Sequence, residues 1–363
     1  MTVNGSSKGL PALLQDKTLQ KQVLGGIGLL TGLGAGLASY AILQEPFNVI
    51  MERLTIRIPH AKGRLPSSGL RILHLSDTHF QGIDWRERAK IDSIRRLTAN
   101  LDYDLLIHTG DFWHHETGLE NITRLLDSLT PPRLGSYGVF GNHDYVCYSH
   151  SEMLSRSWER YQLREGHGRN GHQTHGVVAL YENMRELYRF AHYFMNMPFD
   201  LKRVRFNDID QLKLALAEHN MQVLHNQAIH LRHKPGQSDG VDLYLAGIDD
   251  LAEGTPDLQA ALDPIGDVEP TLLLSHNPDV LEDGLSRRAH LILAGHTHGG
   301  QIVLPWLGAA HTHSEHLRRH EAAGYLWRDQ TQVYVSRGIG EGIPLRFGAR
   351  PQIALITVLP VET

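Results

Sequence analysis

Short apolar runs and polar, periodic stretches alternate along the first half of the chain. The run Leu70–Leu75 predicts a buried strand, and the polar stretch from about Trp85 to Ala99 has helical spacing. The alternation continues through a strand at Asp104–His108, a helix at about Leu119–Leu129 and a strand at Ser136–Phe140. This order of strands and helices is typical of a layered α/β domain. We expect such a domain, preceded by a first alternating strand at Glu52–Pro59.

The second half of the chain has a different pattern, because strands follow one another with few helices between them. Predicted strands lie at Gln222–Leu231, Asp242–Ile248, Thr271–Leu274, His290–Leu293, Gln332–Ser336 and Gln352–Val358. Residues 145–220 form an insertion with predicted helices at about Val178–Phe194 and Ile209–Glu218. A long insertion beside a site often forms a lid. We therefore expect this segment to be a cap within a domain that spans 52–360.

The N-terminal region is apolar over an unusual length. No charged residue occurs between Gln22 and Gln44, and Val23–Leu43 consists mainly of Leu, Ile, Val, Ala and Gly. A helix of this length, at about 1.5 Å per residue, spans a hydrocarbon core of about 30 Å. The pattern predicts a polar tail at 1–22 and a single transmembrane helix or signal anchor at 23–43, which would place the protein at a membrane. A cleaved signal peptide is the main alternative, and basic residues on both sides leave the orientation open.

Glycines at positions 28, 32 and 36 would lie on one face of that helix. Small residues at every fourth position are used where transmembrane helices pair. A homodimer through the glycine-rich span is therefore one interpretation, and simple glycine richness is the other.

Composition narrows the classes of partner. The 363 residues carry a net charge of −5, with 41% hydrophobic and 21% charged residues, which is ordinary for a globular protein. Because nucleic-acid-binding surfaces are basic, no nucleic acid partner is expected.

Cys147 is the only cysteine, so an internal disulfide is excluded. The 24 histidines are unusually many, and most are interpreted as neutral surface or loop residues.

Five polar fragments each come directly after an apolar run. The last one contains His296 and His298, in a glycine-rich loop that lets the backbone approach a charged centre. The other four are Asp77-Thr78-His79, Gly110-Asp111, Gly141-Asn142-His143-Asp144 and Ser275-His276-Asn277. Ligand sites of α/β domains gather beyond the carboxyl ends of the strands. We therefore expect the five fragments to form one site.

The fragments supply seven candidate metal ligands with oxygen or nitrogen donors. They are Asp77, His79, Asp111, Asn142, His276, His296 and His298. A donor set without thiolate favours Mn²⁺, Fe or Zn²⁺ over a structural zinc or an iron–sulfur site. Seven ligands are too many for one tetrahedral ion, but with one shared carboxylate they give four contacts to each of two ions. Two ions about 3.5–4 Å apart can hold a bridging hydroxide and clamp a phosphoryl group during in-line displacement.

The order D-x-H, GD, GNH[DE], H and GHxH resembles that of the calcineurin-like metallophosphoesterase superfamily, from about Leu70 to Val358. The resemblance implies an α+β fold of four layers, α/β/β/α, in which a β-sandwich is flanked by helices. It implies that Asp111 bridges two metals, one held by Asp77, His79 and His298 and the other by Asn142, His276 and His296. His143 would be the general acid that protonates the leaving oxygen or stabilises charge on the phosphate.

Two differences from the motifs of the protein phosphatases indicate which branch of this superfamily the chain resembles. Its protein Ser/Thr phosphatases carry GDxxDR and GNHE, whereas this chain has His114 at the position of the second carboxylate and ends the other motif in Asp144. The carboxylate that would orient the catalytic histidine is missing, which argues against a protein phosphatase. Leu273–Asp279 and the tail Ser336–Pro351 are instead similar to the membrane-associated phosphoesterases of the YkuE and YaeI type. That group includes pyrophosphatases acting on UDP-diacylglucosamine, but the long insertion departs from its compact members and leaves the substrate open.

Arginines in this tail are candidates for substrate binding. A guanidinium can make bidentate hydrogen bonds to phosphate, and we expect this of Arg337 and Arg346. The alternative is ordinary surface pairing, which we favour for Arg350.

The leading hypothesis is a membrane-anchored phosphoesterase with two divalent metal ions, Mn²⁺ first among them. It would hydrolyse a phosphodiester or pyrophosphate bond by in-line attack of a metal-bridging hydroxide. A lipid-linked substrate fits the apolar N-terminal segment. A phosphomonoesterase and a non-catalytic membrane scaffold that retains the fold are the alternatives. Because degenerate members usually lose ligands and all seven are present here, the enzyme is favoured over the scaffold.

Overall fold

The computed structural model describes residues 32–164, 177–196, 202–328 and 331–361. These residues belong to two compact units. The larger unit comprises Leu43–Met153 and Phe199–Thr363, and the smaller one combines Met1–Ile42 with Leu154–Pro198. Every candidate site residue named above lies in the larger unit.

The first sheet of the larger unit has six strands. In spatial order they are β1 (Ile50–Ile58), β16 (Gln352–Pro360), β2 (Leu70–Leu75), β3 (Leu105–Thr109), β4 (Ser136–Val139) and β7 (Met221–Val223). β2, β3, β4 and β7 run parallel to one another, whereas β16 runs antiparallel to β2. The carboxyl ends of β2, β3 and β4 therefore meet at one edge.

The second sheet also has six strands. In spatial order they are β14 (Gly324–Arg328), β15 (Thr331–Val335), β11 (Leu291–Ala294), β10 (Thr271–Leu274), β9 (Val241–Gly247) and β8 (Gln227–His233). The four central strands are parallel, and the two edge strands are antiparallel to their neighbours. Every residue of β10, β11 and β15 is buried, as expected for parallel strands covered on both faces.

Three apolar clusters give the larger unit four layers. The central cluster packs Ile72 and Ile107 of the first sheet against Leu245 and Leu293 of the second. The outer face of the first sheet is covered by the helices α1 (Asp84–Thr98), α2 (Leu119–Asp127) and α6 (Ile209–Glu218). The outer face of the second sheet is covered by the short helix α7 (Leu258–Leu262) and by turns. The predicted sandwich of sheets flanked by helices is confirmed.

Short elements complete the larger unit around the sheet edges. They are the helix α3 (Asn142–Tyr145), an antiparallel ribbon of β5 (Val146–Ser149) and β6 (Lys202–Phe206), and a hairpin of β12 (Val303–Leu304) and β13 (Gly308–Ala309). Five 3₁₀ turns lie at Glu45–Phe47, Glu116–Gly118, Pro278–Glu282, Gly284–Arg288 and His298–Gly300.

The described residues of the smaller unit are helical. They belong to a helical segment at residues 32–43, to α4 (His150–Arg164), whose first four residues are part of the larger unit, and to α5 (Val177–Asn196). Trp158 of α4 packs edge-on against Phe190 of α5, with ring centroids 4.9 Å apart. Within the described ranges, no helix combines the length and apolar composition needed to cross a membrane. The predicted tail at 1–22 and residues 23–31 of the predicted span lie outside the described residues.

The predicted strand at Gln222–Leu231 is wrong, because the structure divides it into β7 of the first sheet and β8 of the second. Asn226 has a positive φ of 52°, which ends the extended conformation. Its side-chain oxygen also accepts hydrogen bonds from the backbone N–H groups of Asp249 and Asp257. The helices predicted from Val178 and Ile209 are confirmed as α5 and α6, while the domain limits and the cap remain predictions.

Candidate metal centre

Loops at the carboxyl ends of five strands carry the candidate ligands. Asp77 and His79 follow β2, Asp111 follows β3, and Asn142 follows β4 in the first sheet. In the second sheet, His276 follows β10 and the loop with His296 and His298 follows β11. Hydrogen bonds join the loops, since the backbone N–H of Asp77 donates to Gly110 and that of Gly295 donates to His276. The fold therefore brings fragments up to 221 positions apart to one place.

The first group of donors consists of Asp77, His79, Asp111 and His298. All four are buried, and one potential ligand atom from each lies within 4.8 Å of the others. The Nε2 atom of His298 is 3.7 Å from Oδ1 of Asp77, and Nε2 of His79 is 3.1 Å from Oδ2 of Asp111. Two carboxylates and two imidazoles converging in this way can surround a divalent cation.

The second group consists of Asp111, His276 and His296. The Nε2 atom of His276 lies 3.2 Å from Oδ2 of Asp111 and 3.1 Å from Nδ1 of His296. On its other side, Nδ1 of His276 lies 2.7 Å from the carbonyl oxygen of Thr109. That contact makes Nδ1 the protonated nitrogen and leaves the lone pair of Nε2 for a metal. Asp111 belongs to both groups, as expected of a bridging carboxylate.

Unsatisfied polar atoms indicate that these residues are shaped for ions. Among the described residues, the Nδ1 atom of His79 and the Oδ1 atom of Asn142 are buried without a hydrogen-bond partner, whereas the Nε2 atom of His79 lies 3.1 Å from the Asp111 carboxylate. Buried polar atoms are nearly always paired, so such exceptions require a reason. Ligation explains them, because a metal would engage lone pairs that no protein donor reaches. The residues present therefore fit divalent ions.

The backbone of most candidate ligand residues is strained. Five of the seven candidate ligands have positive φ angles: Asp77 (51°), His79 (47°), Asp111 (55°), His296 (70°) and His298 (51°). Residues with a Cβ rarely adopt this region, and they keep it mainly where the surrounding structure imposes it. Strain concentrated on the ligand residues is typical of a functional site.

The buried charges at the site favour the binding of a cation. Burial raises the pKa of Asp111, but His276 and His79 more than offset it and hold that pKa well below its ordinary value. Burial lowers the pKa of His276, but the Asp111 carboxylate outweighs it and raises the pKa to about 10; the pKa of His79 is raised to about 9 in the same way. Burial lowers the pKa of His296 to about 4. Protons on two imidazoles thus balance the buried carboxylates, and divalent ions would take their place.

His143 lies beside the first group. Its ring centroid is 4.6 Å from that of His79 and 4.9 Å from that of Tyr148, and its backbone N–H donates to Oδ1 of Asp111 at 2.8 Å. His114, which stands where protein phosphatases carry a carboxylate, has its ring centroid 4.5 Å from that of His143. An imidazole therefore lies beside His143, at the sequence position where the protein phosphatase motif has a carboxylate.

The two predicted substrate-binding arginines differ in their surroundings. Arg346 is completely buried, and its guanidinium donates to the carbonyl oxygens of Arg337, Gly340 and Ala349. Because the Gly340 N–H in turn donates to the carbonyl of Asp77, Arg346 holds the tail against a candidate metal ligand instead of facing solvent. The expected direct contact of Arg346 with substrate phosphate is thus corrected. Arg337 is partly exposed, so its predicted role stays a prediction.

Asp250 was not predicted from the sequence. It is buried, its Oδ2 accepts the backbone N–H groups of Ala252 and Glu253, and its Oδ1 has no partner among the described residues. Burial raises its pKa to about 6, and its charge acts on His276. The signal was available, because Asp249-Asp250 follows the apolar strand β9 as the other motifs follow theirs.

The model of the calcineurin-like phosphoesterase family matches residues 70–300. This chain belongs to that family. The match begins with β2 and ends in the His298 loop, so it includes all seven candidate ligands. As a member of the family, the chain is a metal-dependent phosphoesterase. Its divalent metals would be held by the histidine and aspartate groups above.

Three curated relatives resemble most of this phosphoesterase. The UDP-2,3-diacylglucosamine pyrophosphatase LpxG of Chlamydia trachomatis is 28% identical over 324 residues, which cover 87% of this chain and 91% of LpxG. The uncharacterized metallophosphoesterase YkuE of Bacillus subtilis is 27% identical over 91% of each chain. A transmembrane protein with a metallophosphoesterase domain from Bos taurus is 28% identical over 82% of this chain but only 55% of that protein. The predicted resemblance to the YkuE-type branch is confirmed.

Proposed function

We propose that this phosphoesterase uses two divalent metal ions to hydrolyse a phosphodiester or pyrophosphate bond. The observation that carries the proposal is the position of Asp111, whose Oδ2 atom lies about equally far from His79 and His276, at 3.1 and 3.2 Å. A carboxylate shared by two donor groups is the arrangement that two-metal phosphoryl transfer needs. Mn²⁺ is the first choice for this donor set, and Fe or Zn²⁺ would also suit it.

We assign a separate role in the reaction to each of the candidate residues. When bound, the metals would polarise the phosphoryl oxygens and lower the pKa of a water nucleophile. Asp111 would keep the two ions at a fixed separation, and Asn142 would complete the set around the ion held by His276 and His296. His143 stands beside this set, where its ring could donate a proton to the leaving oxygen.

The substrate we propose is lipid-linked. Support comes from LpxG, a UDP-2,3-diacylglucosamine pyrophosphatase that is similar over 87% of this chain, and from the apolar segment 23–43. We also propose that the protein is attached to a membrane, in keeping with the transmembrane relative. A nucleotide joined through a pyrophosphate to an acylated sugar would combine both features.

A substrate comparison tests the proposal. The full chain, purified with Mn²⁺, is compared on bis-p-nitrophenyl phosphate, p-nitrophenyl phosphate and UDP-diacylglucosamine. We expect turnover of the diester and the pyrophosphate to exceed that of the monoester at least tenfold. Asp111→Asn should abolish all three activities, whereas Asp267→Asn, an exposed control whose side chain is 93% accessible, should leave them unchanged.

Each alternative gives a different result in that comparison. A preference for the monoester would indicate a phosphomonoesterase and overturn the proposed bond specificity. Stoichiometric metal binding without turnover of any substrate would indicate the membrane scaffold. Hydrolysis of the simple diester without hydrolysis of UDP-diacylglucosamine would retain the reaction and reject the substrate class.

A further inference from the structure

A hairpin beside the metal loop presents an apolar tip to solvent. β12 and β13 are joined by Pro305, Trp306 and Leu307. The Trp306 side chain is fully exposed and Leu307 is 62% exposed. Trp306 also has a positive φ of 64°, a conformation that residues with a Cβ rarely adopt. A bulky indole exposed in this way gains nothing in water, so the tip indicates a contact outside the described fold.

The hairpin is fixed to the metal centre. β12 begins five residues after His298, and the backbone N–H of Val303 donates to Phe347 at 2.7 Å. Between them, the side chain of Gln301 donates to the carbonyl oxygens of Ile343 and Leu345. These hydrogen bonds attach the segment between His298 and the hairpin to residues 343–347. A partner that binds the hairpin tip therefore also fixes the direction in which the metal centre faces.

The segment behind the hairpin has a small excess of positive charge, although the whole chain is acidic. Residues 301–328 contain three arginines against two glutamates, while the net charge of the chain is −5 with histidine neutral. The segment of Arg318 and Arg319 lies along β13, since the Ala309 N–H donates to the carbonyl of Arg319 and the Arg319 guanidinium donates back. One of the glutamates, Glu321, is paired with Arg328 at 2.7 Å. The charge behind the tip therefore complements an anionic surface.

The shape of the hairpin tip indicates whether it binds a protein or a lipid surface. A stable protein interface needs about 800 Å² from each partner, and three residues at a narrow turn cannot supply it. A lipid interface accepts a convex tip, and tryptophan is enriched there because its ring is apolar and its N–H is polar. Each arginine near an anionic leaflet adds about 1 kcal/mol.

We infer that Pro305–Leu307 insert into the headgroup region of an anionic phospholipid membrane. The insertion turns the His298 loop towards that surface, so the metal centre meets molecules that lie in the bilayer. The inference goes beyond the proposed reaction and does not require it, since lipid contact of the tip is measured without turnover.

Quenching of tryptophan fluorescence by brominated lipid tests whether the hairpin tip contacts the membrane. The full chain is mixed with vesicles of phosphatidylglycerol and phosphatidylcholine whose acyl chains carry bromine. We expect quenching by these vesicles, with Trp306→Phe losing at least half of it. Trp327→Phe is the matched control, because Trp327 is also an exposed tryptophan (54%) but belongs to β14 and not to the hairpin, and it should retain the quenching.

The charge and the reaction are tested separately in the same assay. Arg318→Gln should weaken the quenching, whereas Arg95→Gln, an exposed arginine on α1, should not. Asp111→Asn should be quenched like the wild type, which separates lipid contact from catalysis. Equal quenching of Trp306→Phe and the wild type would overturn the inference, and so would a change of oligomeric state in Trp306→Phe without any change in quenching.

Discussion

The carboxylate of Asp144 accepts a hydrogen bond from the backbone N–H of Asp111 at 2.9 Å. The same carboxylate accepts the N–H groups of Phe112, Trp113 and Gly141. One buried side chain therefore ties the loop after β3 to the loop after β4. It also holds Asp111 in the positive-φ conformation that directs its side chain between His79 and His276.

Removal of that carboxylate should destabilise the protein. In Asp144→Ala, four buried N–H groups lose their acceptor, and we expect the free energy of unfolding to fall by about 3 kcal/mol or more. Asp144→Asn keeps one acceptor oxygen and should lose less. Urea denaturation measures both variants, with Asp267→Ala as the exposed control. An Asp144→Ala variant as stable as the control would contradict this role.

Substitution of Asp111 should remove activity with little effect on the fold. Asp111→Asn keeps the volume and the acceptor for the His143 N–H but loses the charge shared by both donor groups. We expect turnover of the diester to fall more than the ~100-fold typical of residues that only support ligands. Metal content after dialysis should fall with it. Full activity with full metal content would reject the bridging role.

The sequence predicts which residues come together at the site better than it predicts what surrounds them. The seven candidate ligands follow from short motifs after apolar runs, because the parallel strands β2, β3, β4, β10 and β11 end at one place. The break at Asn226 was missed, because a single residue with positive φ changes the sheet without changing the hydrophobic pattern. The burial of Arg346 was also missed, since its partners are carbonyl oxygens, which no motif encodes.

Removal of the metal should lower stability as well as activity. Buried Asp77 and Asp111 lie in one donor group, and five candidate ligands hold strained backbone. Ions that bind the folded state stabilise it by about 2.7 kcal/mol at a hundredfold excess over Kd. Chelation by EDTA should therefore lower the melting temperature, and Mn²⁺ should restore it. Asp111→Asn supplies the control, because its melting temperature should respond less to EDTA.

Asp250 should make the metal-free protein less stable as pH rises. Its pKa is raised from an ordinary value near 4 to about 6, so between these values the folded state holds a proton that the unfolded state has lost. Stability falls with pH across that window, and a shift of this size corresponds to about 3 kcal/mol. Asp250→Asn removes the penalty. In EDTA, the variant should gain stability relative to wild type from pH 4 to pH 7, as measured by urea denaturation. A pH-independent difference would contradict the buried, protonated carboxyl.

His143 can act in two ways, and the leaving group distinguishes them. A general acid matters most when the leaving oxygen is strongly basic, because that oxygen cannot depart as an anion. We expect His143→Ala to slow hydrolysis of an alkyl diester by about 10²–10⁴-fold and that of bis-p-nitrophenyl phosphate much less, since nitrophenolate leaves without a proton. If His143 instead stabilises charge on the phosphate, both substrates should slow by the same factor. Its ring lies 4.6 Å from the His79 ring, so metal content of the variant must be measured in parallel. Equal loss on both substrates with full metal would reject the proton donor and retain the electrostatic role.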